Sequence, residues 1–229
     1  YTRTRDDIAN QAYERGTEFP DLAKLCLRFD YDNDEFERAV TALSKYRLRA
    51  ANPDEAPGRN IPEIEVDGEV FGKPGYIFRK LAPGDVKGLL LGQFTDCCQH
   101  ISGQGSECAE HGFTSANGGF YVMEKPETGD IVMQSWAWRG KEGELCLDSL
   151  ESLKGHVTAD NLKALCQEIA RRLSQSSPDT MVTALTIGTG GDTPSDLPFE
   201  KAARPAVPAD YTSYRDSHAQ YLVAAFTPG

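Results

Sequence analysis

The sequence holds no apolar stretch near the roughly 20 residues that a membrane-spanning helix needs. It is poor in cations: 24 Lys and Arg stand against 35 Asp and Glu, a net charge of −11. Such a surface repels phosphate backbones, which argues against nucleic acid as a partner. The chain has no initiator Met and no charged-then-apolar leader, so a start at Tyr1 suggests a piece excised from something longer. With only 2 Trp and 4 His, each of these residues is informative by itself.

What is present is the composition of a folded domain. Hydrophobic residues make up 39% and charged residues 26%, and 229 residues bury a core without covalent help. The six cysteines are Cys26, Cys97, Cys98, Cys108, Cys146 and Cys166. Disulfide frameworks staple small secreted cores, and this core is not small. Cys26 and Cys166 fall at helical core spacings, where Cys behaves as a small hydrophobe. The expectation is a reducing, cytoplasmic compartment.

The pattern along the chain divides it in two. Pro20 opens a helix with Leu22, Leu25, Cys26 and Phe29 on one face. Asp32, Asn33 and Asp34 offer a cap for a second, lined by Phe36, Val40 and Leu43. Residues 52–60 are rich in Pro, Gly and Asn and read as a linker. This gives a helical N-terminal extension over residues 1–52 and an α/β domain over residues 61–229. In the latter, Glu63–Phe71 alternates around Asp67-Gly68, a hairpin signal. Tyr76–Leu81 is a strand, and Pro83 and Asp85 open a helix through Leu91. Residues 97–119 have no period. Two strands, Phe120–Glu124 and Ile131–Trp138, flank a turn at residues 126–130. A third, Glu144–Leu150, returns through the turn at residues 139–143. Thr158 caps a helix striped by Leu162, Leu165, Cys166, Ile169 and Leu173. Strands at Met181–Ile187 and Tyr221–Phe226 bracket a Pro-rich loop.

This order resembles the GNAT acyltransferase fold, over roughly residues 76–190. YIFRKLAPGDVKGLL is similar to the family's opening strand and helix, GGFYVMEKPETGDIVMQSWAWR to its second and third strands, and ELCLDSLES to its fourth. The resemblance implies an α/β (α+β) fold, a mixed sheet flanked by helices. It implies an acyl-CoA thioester donor and an amine acceptor on a protein or small polar molecule. It also implies that Glu151 or Asp148, at the end of the fourth strand, takes the amine proton. Backbone N–H groups at Ser149 and Leu150 would position the donor carbonyl, with Lys154 and Gly155 near the pyrophosphate. The sequence departs from the family at its Arg/Gln-x-x-Gly-x-Gly/Ala turn: residues 149–158 (SLESLKGHVT) hold one Gly and no Gly-x-Gly.

The residues themselves raise other readings. Cys97, Cys98, His100, Cys108 and His111 crowd into fifteen positions. They suit a zinc site, since thiolate and imidazole are its usual ligands, although the spacing is not a standard one. They equally suit a nucleophile at Cys97 or Cys98 activated by His100 or His111, a loop disulfide, or cysteines that are simply buried. A cysteine-nucleophile hydrolase or transglutaminase-like enzyme is therefore an alternative function, and a non-catalytic zinc-stapled interaction domain another. Trp136 and Trp138 share a strand face with Gln134 and read as core or as an acceptor platform. Arg139, at the turn edge, is a candidate anion grip. Gly188 to Asp192 follows a strand without the helix that a phosphate cradle needs. Asp216 and His218 are a further candidate pair.

Overall fold

The computed structural model describes residues 19–190, 193, 197–202, 207, 210 and 219–227. Helix α1 (Pro20–Arg28) starts on a proline, whose missing N–H costs nothing in a first turn. Helix α2 (Asn33–Ala50) starts at a capping box. The Asp32 side chain accepts from the Glu35 N–H, and the Glu35 carboxylate accepts from the Asp32 N–H. Leu22, Cys26, Phe36 and Leu43 from these helices share one hydrophobic cluster with Trp136 and Trp138 of the sheet.

The strands are β1 (Glu65–Asp67), β2 (Ile77–Lys80), β3 (Gly118–Lys125), β4 (Asp130–Arg139), β5 (Glu144–Leu147), β6 (Glu151–Ser152), β7 (Ala184–Gly188), β8 (Glu200–Lys201) and β9 (Gln220–Ala225). Their order is β1-β2-β3-β4-β5-β7-β9-β8, with β6 also beside β4. Every pairing is antiparallel except β5 with β7. That parallel pair requires a long crossover, supplied by helix α5 (Ala159–Thr180), capped by the Thr158 side chain. Leu162, Leu165, Cys166, Ile169 and Leu173 of α5 bury against Leu145, Leu147, Leu185 and Ile187. Short helix α3 (Leu91–Thr95) and helix α4 (Ser106–Thr114) pack with α1 and α2 on the opposite face. The fold is mixed α/β, a mixed sheet with helices on both faces and helices at the N-terminal side.

Three local expectations fail, each for a physical reason. Asp67-Gly68 does not turn a hairpin. The Asp67 carboxylate accepts from the Glu69 N–H and caps a 3-10 turn (Gly68–Phe71) that buries Phe71, and β1 pairs with β2 instead. The helix expected from Pro83 to Leu91 breaks into a 3-10 turn (Val86–Leu89) and the separate α3. Gly88, inside that turn, lies against the Phe113 and Phe120 rings, where a Cβ would come within 3.1 Å of Phe120. Residues 97–119 conceal α4, whose buried side includes Cys108, Ala109 and Gly112, residues too small to announce a hydrophobic stripe.

β5 and β7 pair from Glu144↔Ala184 to Leu147↔Ile187 and then part. Beyond that point β6 continues along β4, while Gly188 pairs with Gln220 and the Thr189 N–H donates to the Ala219 carbonyl. The chain between β5 and β6 is bulged. Ala137 faces Leu147 and Gln134 faces Glu151, so the strand holding Asp148, Ser149 and Leu150 carries one residue more than β4 between those pairs.

Candidate functional site

The fork where β5 and β7 separate gathers the polar side chains. The strand period of two, carried through the registers, sets Gln134, Trp136 and Trp138 on one face. Cys146 lies opposite Trp138, so Asp148 falls on that face, and the bulge restores Glu151 to it opposite Gln134. Tyr221 and Val223 pack with the α5 side, which leaves Gln220 on the same face as Asp148.

A tight turn after α3 delivers the remaining members. The Gly92 N–H donates to the Gln99 carbonyl and the Cys97 N–H to the Gly92 carbonyl. A Cβ on Gly92 would lie 2.4 Å from the Cys97 carbonyl oxygen, so only glycine permits the approach. Gln99 Nε2 then donates to Asp148 Oδ2 at 3.3 Å, and Gln134 Nε2 to Gln99 Oε1 at 3.1 Å and to Cys97 Sγ at 3.5 Å. Ser149 Oγ donates to Glu151 Oε1 at 3.2 Å. Asp148 and Gln134 are both 0% exposed, whereas Glu151 is half-buried. The Leu150 N–H donates to Thr193 Oγ1 at 2.8 Å.

The structure thus brings Asp148, Ser149, Leu150, Glu151 and Cys97 together. Burial pushes the Cys97 thiol up to about 11, with the Glu151 charge adding to that rise, a setting that disfavours the thiolate a nucleophile needs. The histidines of the loop go elsewhere. His100 Nδ1 meets the Tyr31 hydroxyl at 2.7 Å, and burial lowers its pKa. Trp136 Nε1 donates to His111 Nδ1 at 3.1 Å, so the His111 proton sits on Nε2, 2.9 Å from Asp210 Oδ1. Asp210 Oδ2 also accepts from Ser115 Oγ at 2.5 Å. Cys108 is buried in α4.

The zinc expectation is therefore corrected. Among the described residues no three His, Cys, Asp or Glu side chains converge to hold a metal ion. Cys97, Cys98, His100, Cys108 and His111 are neighbours in sequence, but His100 and His111 are oriented by Tyr31, Trp136 and Asp210, and Cys108 packs in the core. The zinc-stapled interaction domain loses its staple with them, and all six cysteines are thiols.

The other candidates have plain positions. Trp136 and Trp138 are fully buried core, their ring centroids 4.5 Å apart. Arg139 donates to the Asn60 and Thr180 carbonyls. At the start of α5, Thr158 accepts from the Asn161 N–H, while Lys154 and Gly155 stand exposed just before it. Burial lowers the His156 pKa, and the nearby Lys73 charge adds to that fall. Asp192, Asp216 and His218 lie outside the described residues. No helix of the described residues is long and apolar enough to cross a membrane. Sequence reading overlooked Gln99 and Gln220. A glutamine at the start of an otherwise apolar strand (QYLVAAF) is the signal that could have found the second.

No protein-family model matches the chain, and no curated protein matches it. Solved structures of acetyltransferases are similar to it at low identity. A GNAT-family acetyltransferase from Staphylococcus aureus Mu50 has 14% identity, with 70% of this chain and 96% of that chain covered and a TM-score of 0.37. An acetyltransferase from Streptococcus agalactiae 2603 has 16% identity over 46% of this chain and 65% of that chain, with a TM-score of 0.30.

Proposed function

We propose that this chain is an N-acyltransferase that moves an acyl group from a CoA-type thioester to an amine on a protein or small polar molecule. The observation that carries this reading is the fork. Parallel strands that separate at their carboxyl ends make a crevice, and ligands of open α/β sheets bind there. Here the crevice edge is a bulge bearing two carboxylates, Asp148 and Glu151.

In this reading Glu151, the more accessible of the two, takes a proton from the acceptor ammonium. The nitrogen attacks the thioester carbonyl carbon, and the N–C bond forms. The tetrahedral oxyanion collapses and the C–S bond breaks. The nitrogen gives up its second proton as the departing thiolate gains one. The thioester carbonyl takes the place of the Thr193 hydroxyl on the Leu150 N–H, which then stabilises the oxyanion. Asp148, held through Gln99, is a positioning residue behind the acceptor. Lys154, Lys73 and the N-terminus of α5 stand where the glycine-rich turn is missing, and their charge and dipole suit a pyrophosphate. The cysteine-nucleophile alternative has less support, since burial keeps Cys97 a thiol and His111 is committed to Trp136 and Asp210.

The test combines binding and turnover. Acetyl-CoA should raise the melting temperature by mass action on the native state. It should release CoA thiol only when a lysine-containing peptide or another primary amine is present. No melting shift and no amine-dependent thiol release at millimolar acetyl-CoA would remove the activity.

A further inference from the structure

The fork lies at one end of β5, and an open cavity of about 1010 Å³ lies at the other. Its walls are residues 56–63, Lys80, the turn between β4 and β5, and the end of α5. Six charged side chains line it, Arg59, Lys80, Arg139 and Lys141 against Glu63 and Asp179. Cations outnumber acids here, in a chain whose net charge is −11.

Two of the four cations are already engaged. Lys80 is 6% exposed, and its Nζ donates to the Gly58 and Ile61 carbonyls at 2.9 and 2.8 Å, with Glu63 Oε1 at 3.3 Å as a third partner. Arg59 pairs with Asp54 at 3.3 Å and donates to the Pro53 carbonyl. Arg139 differs. It uses two of its five side-chain N–H groups, on the Asn60 carbonyl at 3.2 Å and the Thr180 carbonyl at 2.8 Å. Both acceptors carry only partial charge, and among the described residues no carboxylate is ion-paired with Arg139. Burial lowers its pKa by more than the nearby Tyr121 and Glu144 raise it, as expected of a half-buried cation short of countercharge.

The neighbours of Arg139 add donors. The Arg139 N–H donates to the Asn117 carbonyl, which sets the two residues side by side. Arg59 Nε donates to Asn60 Oδ1 at 3.5 Å, so the Asn60 NH2 turns to Asn117 Oδ1, 2.7 Å away, and the Asn117 NH2 is left over. Lys141 is exposed on the turn, and its ammonium has no partner among the described residues. The unused groups are thus three guanidinium N–H, an amide NH2 and an ammonium. Their complement is a group that only accepts, and the two oxygens of a carboxylate match a guanidinium edge in plane. A dianionic phosphate suits the place less, because Glu63, Asp179 and the carbonyl end of α5 oppose a second negative charge. The remaining wall is largely apolar, with Tyr46, Pro57, Pro62, Pro83 and the 74%-exposed Met181. We propose that this cavity binds a carboxylate carried on an apolar body, either a free aryl or alkyl acid or the C-terminus of a peptide ending in an apolar residue. Arg139 grips the carboxylate and Lys141 attracts it. The site is apart from the fork and does not rest on the acyltransferase reading.

The test compares a carboxylate with its neutral isostere. 3-Phenylpropionate and 3-phenylpropanamide are titrated calorimetrically onto the full chain at neutral pH. The acid should bind at least about tenfold more tightly, the scale of one charge-assisted hydrogen bond. N-acetyl-alanyl-phenylalanine and its C-terminal amide repeat the comparison on a peptide. A larger preference in the peptide pair assigns the ligand to a peptide terminus, and a larger one in the first pair assigns it to a small acid. Phenyl phosphate should bind more weakly than 3-phenylpropionate. Arg139→Gln should erase the preference. Lys141→Glu, on the exposed turn, should reduce it by about threefold or more, the scale of a surface charge pair, and keeps the test open if Arg139→Gln does not fold. Bound 3-phenylpropionate should slow amide hydrogen exchange at residues 139–143 and leave residues 148–152 unchanged. Equal binding of acid and amide, a preference unchanged by either substitution, tighter binding of phenyl phosphate, or protection at residues 148–152 instead overturns the proposal.

Discussion

The segment from Cys97 to His111 and the fork at the ends of β5 and β7 hold similar numbers of reactive side chains, and the fold treats them in opposite ways. In the segment, fifteen consecutive positions carry five Cys and His residues, and four of them go to different neighbours: Cys97 toward Gln134, His100 to Tyr31, His111 to Trp136 and Asp210, and Cys108 into the core. At the fork, Gln134, Asp148, Glu151 and Gln220 come from three distant stretches and share one face of one sheet, and Gln99 reaches Asp148 from the turn after α3. Nearness in sequence is a property of the chain, while convergence is a property of the register. The Cys/His loop disperses its side chains, and the fork collects polar ones.

Substitutions in the fork and in the loop should change different properties. The largest expected effect is at the fork. Glu151→Gln should lower kcat/KM for acyl transfer by about 10²–10⁴, the range for loss of a general base, and flatten the acidic limb of the pH–rate profile. Next comes the loop's anchor. His111→Phe keeps the ring but leaves the fully buried Trp136 Nε1–H without its acceptor, which should cost about 1–3 kcal/mol in urea unfolding. A change in chemistry rather than stability would make the loop part of the site.

Smaller still is Cys98→Ala. Its acyl-transfer rate should stay within about tenfold of wild type, roughly 1.4 kcal/mol in the barrier. Abolished activity, with selective iodoacetamide labelling of Cys97 or Cys98 at neutral pH, would bring the cysteine-nucleophile enzyme forward. The smallest effect is acidic. The His111 hydrogen bond, helped by Ser115, holds the Asp210 carboxyl down at about 2. A depressed carboxyl pKa adds stability that is full above about pH 4 and lost as pH falls toward 2. Asp210 is partly exposed, so solvent screens the gain. The urea midpoint should fall slightly more between pH 5 and pH 3 in wild type than in Asp210→Asn.

Much of the frame was legible from sequence because its signals are local. The Thr158 cap, the α5 stripe, the turns at residues 126–130 and 139–143 and the alternation through Gln134, Trp136 and Trp138 each depend on residues a few positions apart. Asp148 and Glu151 came from the resemblance rather than from any pattern of their own. What could not be read depends on distance along the chain. Asp67-Gly68 looks like a hairpin until the burial of Phe71 is known. The Cys/His cluster looks like a metal site until Trp136 claims His111. Gln99 reaches Asp148 only because Gly92 lets the Cys97 turn close. Gln220 joins the site only through the pairing of β9 with β7.

The central claim is that the fork, not the Cys/His loop, receives the acyl thioester. Amide hydrogen exchange of the full chain with and without saturating acetyl-CoA tests it residue by residue, because bound ligand slows local opening where it binds. The account predicts added protection across residues 148–152 and 188–190, with residues 103–111 unchanged. Protection confined to residues 103–111, or none at residues 148–152 under conditions where the thioester is bound, would contradict it.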